Sequence, residues 1–264
     1  MSPIFPDILV LAMANSERDN SVRYSRQIAL SRIGKAGNER LADARVLIIG
    51  AGGLGNPASL YLATSGVGHL VISDFDTVDE SNLPRQILFR DADVGNPKAE
   101  ILALRLAEAN PDITAIGISR RLDAAALTAE VRLADAVLDC TDNFRSRWLL
   151  NEICHAEKTP LVSGAAIRFE GQLALFRFDK QGSPCYRCLY SEEDENLNDC
   201  AGQGVLATVA GTVGVMMATE TIKLLTGNAR ESEARLWVYD ALAGYSKSLG
   251  ISPVDDCPVC GHRL

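Results

Sequence analysis

The segment from Val46 to Gly55 constrains this chain more than any other. Val46 to Ile49 is a short apolar, β-branched run that stops at Gly50, and Gly50, Ala51, Gly52, Gly53, Leu54 and Gly55 then spell G-x-G-x-x-G ahead of a helix-compatible stretch. Strand, tight turn and helix in that order make a phosphate cradle. Glycines take positive φ and let an anion approach the backbone, and the helix that follows offers unpaired N–H groups at the positive end of its dipole. A packing turn with no ligand is the competing reading of the same glycines. A second strand, His69 to Ser73, ends in Asp74, Phe75 and Asp76, which puts an acid where doubly wound nucleotide-binding sheets hold a ribose hydroxyl.

What comes next departs from a nicotinamide site. Ser81, Asn82, Leu83, Pro84, Arg85 and Gln86 are followed by Asn96, Pro97 and Lys98. Pro97 suits the first position of a helix, so Lys98 falls in the first turn, where a cation opposes the dipole unless an anion is close. Nicotinamide cofactors carry few charges, whereas a triphosphate needs several cations, so Arg85 and Lys98 beside the cradle point to ATP. Taken singly, each also reads as a solvated surface cation.

The rest of the chain continues the strand–helix alternation. Helical patterns cover Arg23 to Ile33, Asn38 to Ala44, the run after Pro97 up to Asn110-Pro111, Asp123 to Leu133 and Asn143 to Glu157; strands are expected at Ile113 to Ile118, Ala136 to Cys140 and Pro160 to Val162. The helix after Gly55 should stop at Gly66 or Gly68. Such alternation implies an α/β fold with a doubly wound, mainly parallel sheet, the nucleotide lying across its carboxyl edge. Beyond residue 165 the texture changes. Phe169 to Phe178 and Ala234 to Tyr239 alternate like antiparallel strands, and Val213 to Leu225 reads as a helix ending at Gly227. The expected organisation is one domain over 21–264, with a nucleotide-binding part at 21–165 and an appended antiparallel sheet at 166–264. Residues 1–20 form an N-terminal extension that can be flexible.

Seven cysteines are present. Cys185-Tyr-Arg-Cys188 and Cys257-Pro-Val-Cys260 are two knuckles of the spacing that gives four thiolates in a tetrahedron, a closed structural Zn²⁺ clamp; a redox CxxC or two local disulfides are the competing readings. Cys140 and Cys154 read as small buried hydrophobes. Cys200 lies in a polar loop, Tyr190 to Gln203, and stands open between a reactive thiol and a bland loop residue.

Composition sets the outer limits. A chain of 264 residues, 47% hydrophobic and 23% charged, carries 26 Lys plus Arg against 34 Asp plus Glu, a net charge of −8. That balance argues against general nucleic-acid binding while leaving room for a local basic pocket. The apolar run Ile8 to Met13 is too short to span a membrane, and the first charge before it is Asp7 where a secretory signal needs a cation. A cytoplasmic location follows, with no membrane partner.

Taken as an ordered set, RYSRQ (Arg23 to Gln27), GAGGLG, DFD, SNLPRQ, NPK, CTDN (Cys140 to Asn143), SGAA (Ser163 to Ala166) and the two CxxC pairs resemble the ThiF/MoeB/HesA adenylyltransferases, bacterial relatives of ubiquitin-activating enzymes. The resemblance runs from about Arg23 to the C-terminus. It implies a homodimer that adenylates the C-terminal Gly-Gly carboxylate of a small ubiquitin-like sulfur carrier, with a persulfide donor supplying sulfur afterwards for thiamin, molybdopterin or a related pathway. By the same resemblance, Gly50, Gly52, Gly53 and Gly55 hold the nucleotide, Asp74 takes the ribose with Asp76 beside it, and Asn82, Arg85 and Lys98 meet the phosphates. Asp142 holds Mg²⁺, against a reading as a helix N-cap; Arg26 reaches the neighbouring subunit's triphosphate, against a surface arginine. The resemblance also makes Cys200 an adduct-forming thiol in thiazole-pathway relatives only, and places the carrier's tail at Ser163 to Ala166 and at Ala201 to Leu206. Pro84 departs from the Gln usual before the arginine. Rival readings are an NAD-dependent oxidoreductase, for which no acid of the dehydrogenase kind is evident, and a family member that adenylates a tRNA or a peptide.

Overall fold

Val46 and Ile48, with Leu70 and Ile72 in the neighbouring strand, face one buried cluster, while Leu47 and Val71 face another. Period-two alternation with both faces apolar requires a sheet covered on both sides. The computed structural model describes residues 8–12, 22–190 and 204–261. Its strands are β1 (Ile8–Ala12), β2 (Arg45–Ile49), β3 (His69–Ser73), β4 (Thr114–Ile118), β5 (Ala136–Asp139), β6 (Leu161–Ile167), β7 (Glu170–Phe176), β8 (Arg235–Asp240) and β9 (Tyr245–Gly250). Its helices are α1 (Ser25–Ile28), α2 (Gly34–Asp43), α3 (Gly55–Thr64), α4 (Lys98–Ala109), α5 (Ala124–Arg132), α6 (Phe144–Glu157) and α7 (Ala207–Leu225).

All the described strands join one sheet in the order β1-β4-β3-β2-β5-β6-β7-β8-β9. The run β4-β3-β2-β5-β6 is parallel and β6-β7-β8-β9 antiparallel. Helices α3, α4 and α7 lie with the first cluster; α5, α6 and the Cys185 knuckle lie with the second. Strand order reverses between β2 and β5, and this is where an open α/β sheet forms a crevice at its carboxyl edge.

The expected doubly wound sheet with its antiparallel appendage is present, and several boundaries move. Ile8 to Ala12 is an edge strand paired antiparallel with β4, so part of the expected N-terminal extension is built into the sheet. Only one turn, α1, forms within Arg23 to Ile33. Gly34, at φ +58, breaks the run, and α2 starts there, four residues ahead of the expected Asn38. Helix α7 begins at Ala207, six residues before Val213. Gly66, at φ +82, follows the end of α3 as expected.

Candidate functional site

A cleft of about 690 Å³ opens at the carboxyl ends of β2, β3 and β5. Of the expected residues, Gly50, Gly52, Gly53, Asp74, Asp76, Asn82, Arg85, Lys98 and Asp142 all line it. The glycines divide the labour of the loop. Gly50 takes φ +101, and a Cβ there would sit 2.8 Å from the Cys140 carbonyl oxygen; a Cβ at Gly52 would meet nothing nearer than Gln86 Nε2 at 3.9 Å, leaving that backbone open to a ligand. Gly55 does not line the cleft. Its hydrogen faces the Gly50 carbonyl, and the position serves close packing of α3 against the loop.

Both carboxylate oxygens of Asp74 are held by backbone N–H groups. Its Oδ2 accepts from Ala51 N–H at 2.7 Å and its Oδ1 from Asp76 N–H at 2.9 Å. Burial pushes its carboxyl above the usual range, against the pull of those two N–H groups and of Lys98. Lys98 heads α4 and is buried; its Nζ lies 3.3 Å from Asp76 Oδ2. The anion that its place on the helix dipole demands is thus supplied in part by the protein itself. Arg85 donates to Ser81 O at 3.0 Å and to Asn82 Oδ1 at 2.8 Å, so its own turn holds the guanidinium at the cleft wall, and Pro84 leaves that turn intact.

Asp142 is exposed at the lip of the cleft. The N-cap of α6 is Asn143, whose Oδ1 accepts from Ser146 N–H at 2.9 Å. The capping alternative for Asp142 therefore falls to its neighbour, and no ion pair occupies Asp142 among the described residues. Among these residues the Asp142 Oδ1 accepts only from the adjacent Asn143 Nδ2, at 3.3 Å, and an exposed carboxylate beside the glycine loop fits a hard cation.

Several residues in the cleft wall or directly beneath it had no signal in the sequence. Arg121 lays its guanidinium carbon 3.9 Å from the centre of the Phe75 ring, a cation–π pair at the ends of β3 and β4. Asp139, fully buried, accepts from Thr141 N–H at 3.1 Å, Thr141 Oγ1 at 2.7 Å and Ser163 Oγ at 2.9 Å. Four cations, Arg85, Lys98, Arg121 and Arg147, face the cleft against Asp74, Asp76 and Asp142. The cleft thus carries 4 − 3 = +1 in a chain of net charge −8.

On the antiparallel side, Ala165, Ala166, Gly204 and Val205 continue the wall. Ser163 turns instead to Asp139. Residues 204–206 are stitched to the β6–β7 turn by Arg168 N–H to Gly204 O and Leu206 N–H to Arg168 O, both 2.8 Å. Arg26 is exposed on α1 and does not line the cleft. Cys200 and the Ala201–Gln203 part of the expected tail site lie outside the described residues.

The four paired cysteines meet. Cys185, Cys188, Cys257 and Cys260 place their Sγ atoms within 4.8 Å of one another, with 3.5 Å between Cys185 and Cys257 and 3.3 Å between Cys188 and Cys260. Tetrahedral thiolates about 2.3 Å from a zinc ion lie roughly 3.8 Å apart, so the cluster has the right size. Burial pushes the Cys185 thiol up to about 12 and raises Cys260 too; burial acts upward on Cys257 as well, but the N–H groups of Cys260 and Val259 bring it down to about 7. Such a set of thiols becomes fully ionised only around a cation. Cys140 and Cys154 are buried, and burial raises both thiols, as expected of inert small hydrophobes.

Comparison with known proteins follows the same lines. The ThiF family model matches residues 24–259. The molybdopterin-synthase adenylyltransferase of Escherichia coli (strain K12) is 45% identical over 250 residues, covering 95% of this chain and 100% of that protein. The SAMP-activating enzyme E1 of Haloferax volcanii is 44% identical over 242 residues, covering 91% and 88%. The sulfur carrier protein ThiS adenylyltransferase of Escherichia coli (strain K12) is 44% identical over 241 residues, covering 91% and 95%. Among solved structures, E. coli MccB with ATP superposes with a TM-score of 0.79 at 25% identity, covering 94% of this chain and 75% of that one.

Proposed function

We propose, from the premise that this chain belongs to the ThiF family, that it is an adenylyltransferase that activates the C-terminal Gly-Gly carboxylate of a small ubiquitin-like sulfur-carrier protein. The carboxylate attacks the α-phosphorus of ATP, the bond to the bridging oxygen breaks, and pyrophosphate leaves; the product is a carrier acyl-adenylate. Both reactants are anions and a carboxylate is a poor nucleophile, so position and positive charge must come from the protein. The observation that carries this reading is the cation-rich cleft, walled by the glycine loop on one side and by Ala165, Ala166 and Val205 of the antiparallel half on the other.

In this reading Gly50, Gly52 and Gly53 take the nucleotide, Asp74 the ribose, and Asn82, Arg85 and Lys98 the phosphates. Asp142 would hold Mg²⁺, which would screen the phosphate charge. Zn²⁺ in the four-cysteine cluster would staple the β7–α7 connection to the chain's last residues and do no chemistry. Arg26 would complete the site of a second subunit in a homodimer. A persulfide donor would convert the acyl-adenylate to a thiocarboxylate, and which carrier binds fixes whether thiamin, molybdopterin or another product receives it. The cluster of reduced thiols suits a cytoplasmic location, and no helix among the described residues is long and apolar enough to cross a membrane.

Carrier-dependent ATP–pyrophosphate exchange is the test. Exchange is expected with at least one ubiquitin-like carrier ending in Gly-Gly and none after its terminal glycine is removed, with no NAD binding. A peptide carboxylate in place of the carrier's tail is the rival reading. Exchange with short peptides and with no carrier would favour it and sink the first.

A further inference from the structure

Thr141, the residue before Asp142, has its backbone gripped from both sides by buried charges. Asp139 accepts from its N–H at 3.1 Å and from its hydroxyl at 2.7 Å, and Arg147 donates from Nη2 to its carbonyl at 2.7 Å. Asp139 is 0% exposed and Arg147 8%. Placing two charged side chains in the interior is costly unless hydrogen bonds satisfy them; here Asp139 holds the N–H side of Thr141 and Arg147 holds the carbonyl of the Thr141–Asp142 peptide. The other arm of Arg147 goes elsewhere. Its Nη1 donates to the Tyr186 hydroxyl at 3.4 Å, and Asn151, one helical turn along α6, accepts from Tyr186 N–H at 2.8 Å. Tyr186 is 3% exposed and sits between Cys185 and Cys188 of the first knuckle.

We propose that Arg147 and Tyr186 are positioning residues for Asp142: Arg147 spans the distance between the four-cysteine clamp and the metal-binding lip of the nucleotide cleft, so that the clamp sets where the Asp142 carboxylate points. The inference rests on the proposed role of Asp142 as the holder of the nucleotide's divalent ion. It goes beyond that role because it gives the clamp, otherwise a staple, a mechanical route into the active site. A carboxylate whose preceding peptide is fixed is already aimed before the ion arrives; one on a free loop must be ordered by binding.

The experiment is calorimetric titration of the carrier-free, zinc-replete protein with ATP over a range of Mn²⁺ concentrations, run beside pyrophosphate exchange and thermal melting. Tyr186→Phe removes only the hydroxyl and keeps the ring, the backbone N–H and both cysteines. Arg147→Lys keeps one donor for the Thr141 carbonyl, whereas Arg147→Met keeps none. Expected is a roughly tenfold rise in the Mn²⁺ needed for half-saturation in Arg147→Met, as for loss of a group that orients a metal ligand. Partial recovery is expected in Arg147→Lys and a smaller rise in Tyr186→Phe, with zinc content unchanged. Unaltered Mn²⁺ dependence in Tyr186→Phe and in both Arg147 variants, with only a lower melting temperature, overturns the proposal. Asp142→Asn is the control for the parent reading. If it leaves the Mn²⁺ dependence unchanged, Asp142 does not hold the ion and the parent assignment fails; if it abolishes the dependence while the other variants do not alter it, only the positioning inference fails.

Discussion

At Gly55 the smallest side chain is required by packing. A methyl group added there would collide with the Gly50 carbonyl, so Gly55→Ala should cost about 2–3 kcal/mol of stability, as overpacking does. Urea denaturation should show it, with nucleotide affinity in the surviving folded protein much less affected; at Gly52, open to the cleft, the order of effects should reverse. Asp74 supplies a pH test. Its folded pKa is raised above the ordinary 3.8, so it contributes stability that is present below the unfolded value and lost as pH rises through the folded one. Asp74→Asn should therefore flatten the decline in urea midpoint as pH rises above the ordinary carboxylate range, and equal slopes in the two proteins would refute the assignment. Glycines, Asp74, Arg85 and Lys98 were legible because each sits in a local pattern of strand end, turn or helix start. Asp139 and Arg147 were not. A buried charge and a solvated one look alike in a sequence, and their partners lie on other elements, such as Ser163 in β6 and Tyr186 in the knuckle. Arg121 escaped for the same reason, since its partner Phe75 ends a different strand.

The elements were legible wherever period and punctuation agreed. Helix α4 is bracketed by Pro97 and Asn110, and β2, β3 and β5 by apolar runs that stop abruptly. Strand β9 gave no such signal: YSKSLG is exposed throughout and has no buried face to impose alternation. The first turns of α7 contain Thr208, Gly211 and Thr212, poor helix formers that tertiary packing overrides. The two knuckles, by contrast, were readable from spacing alone. Cys185 and Cys257 lie 72 residues apart, and a crosslink closing a loop of that size is worth about 4 kcal/mol on a chain-entropy scale. Cys257→Ser should accordingly lose bound zinc by elemental analysis and melt well below the parent protein. Retention of one zinc per chain at an unchanged melting temperature would dismiss the clamp.

On the scale of the whole molecule, the −8 net charge and the locally positive cleft act in different places. The first favours solubility, and the second draws in a polyanion over roughly a Debye length. If two subunits share each site through Arg26, inactive Arg26→Ala and inactive Asp142→Asn should rescue one another on mixing. Random exchange makes half the dimers mixed, each with one intact site, so about one quarter of wild-type exchange activity should return. No recovery despite demonstrated subunit exchange would place Arg26 outside the partner's site.

Strand β6 belongs to both halves of the sheet: its start pairs parallel with β5, and its whole length pairs antiparallel with β7. One unbroken seven-residue strand, Leu161–Ile167, therefore carries the Ser163 that steadies Asp139 and the alanines that wall the cleft on the antiparallel side. A guest seated on one half and a nucleotide lodged in the other are measured off against the same ruler, with no hinge between the marks. Lengthening that ruler by a single residue would swap the faces of everything beyond the insertion, leaving each half folded yet out of step with the other.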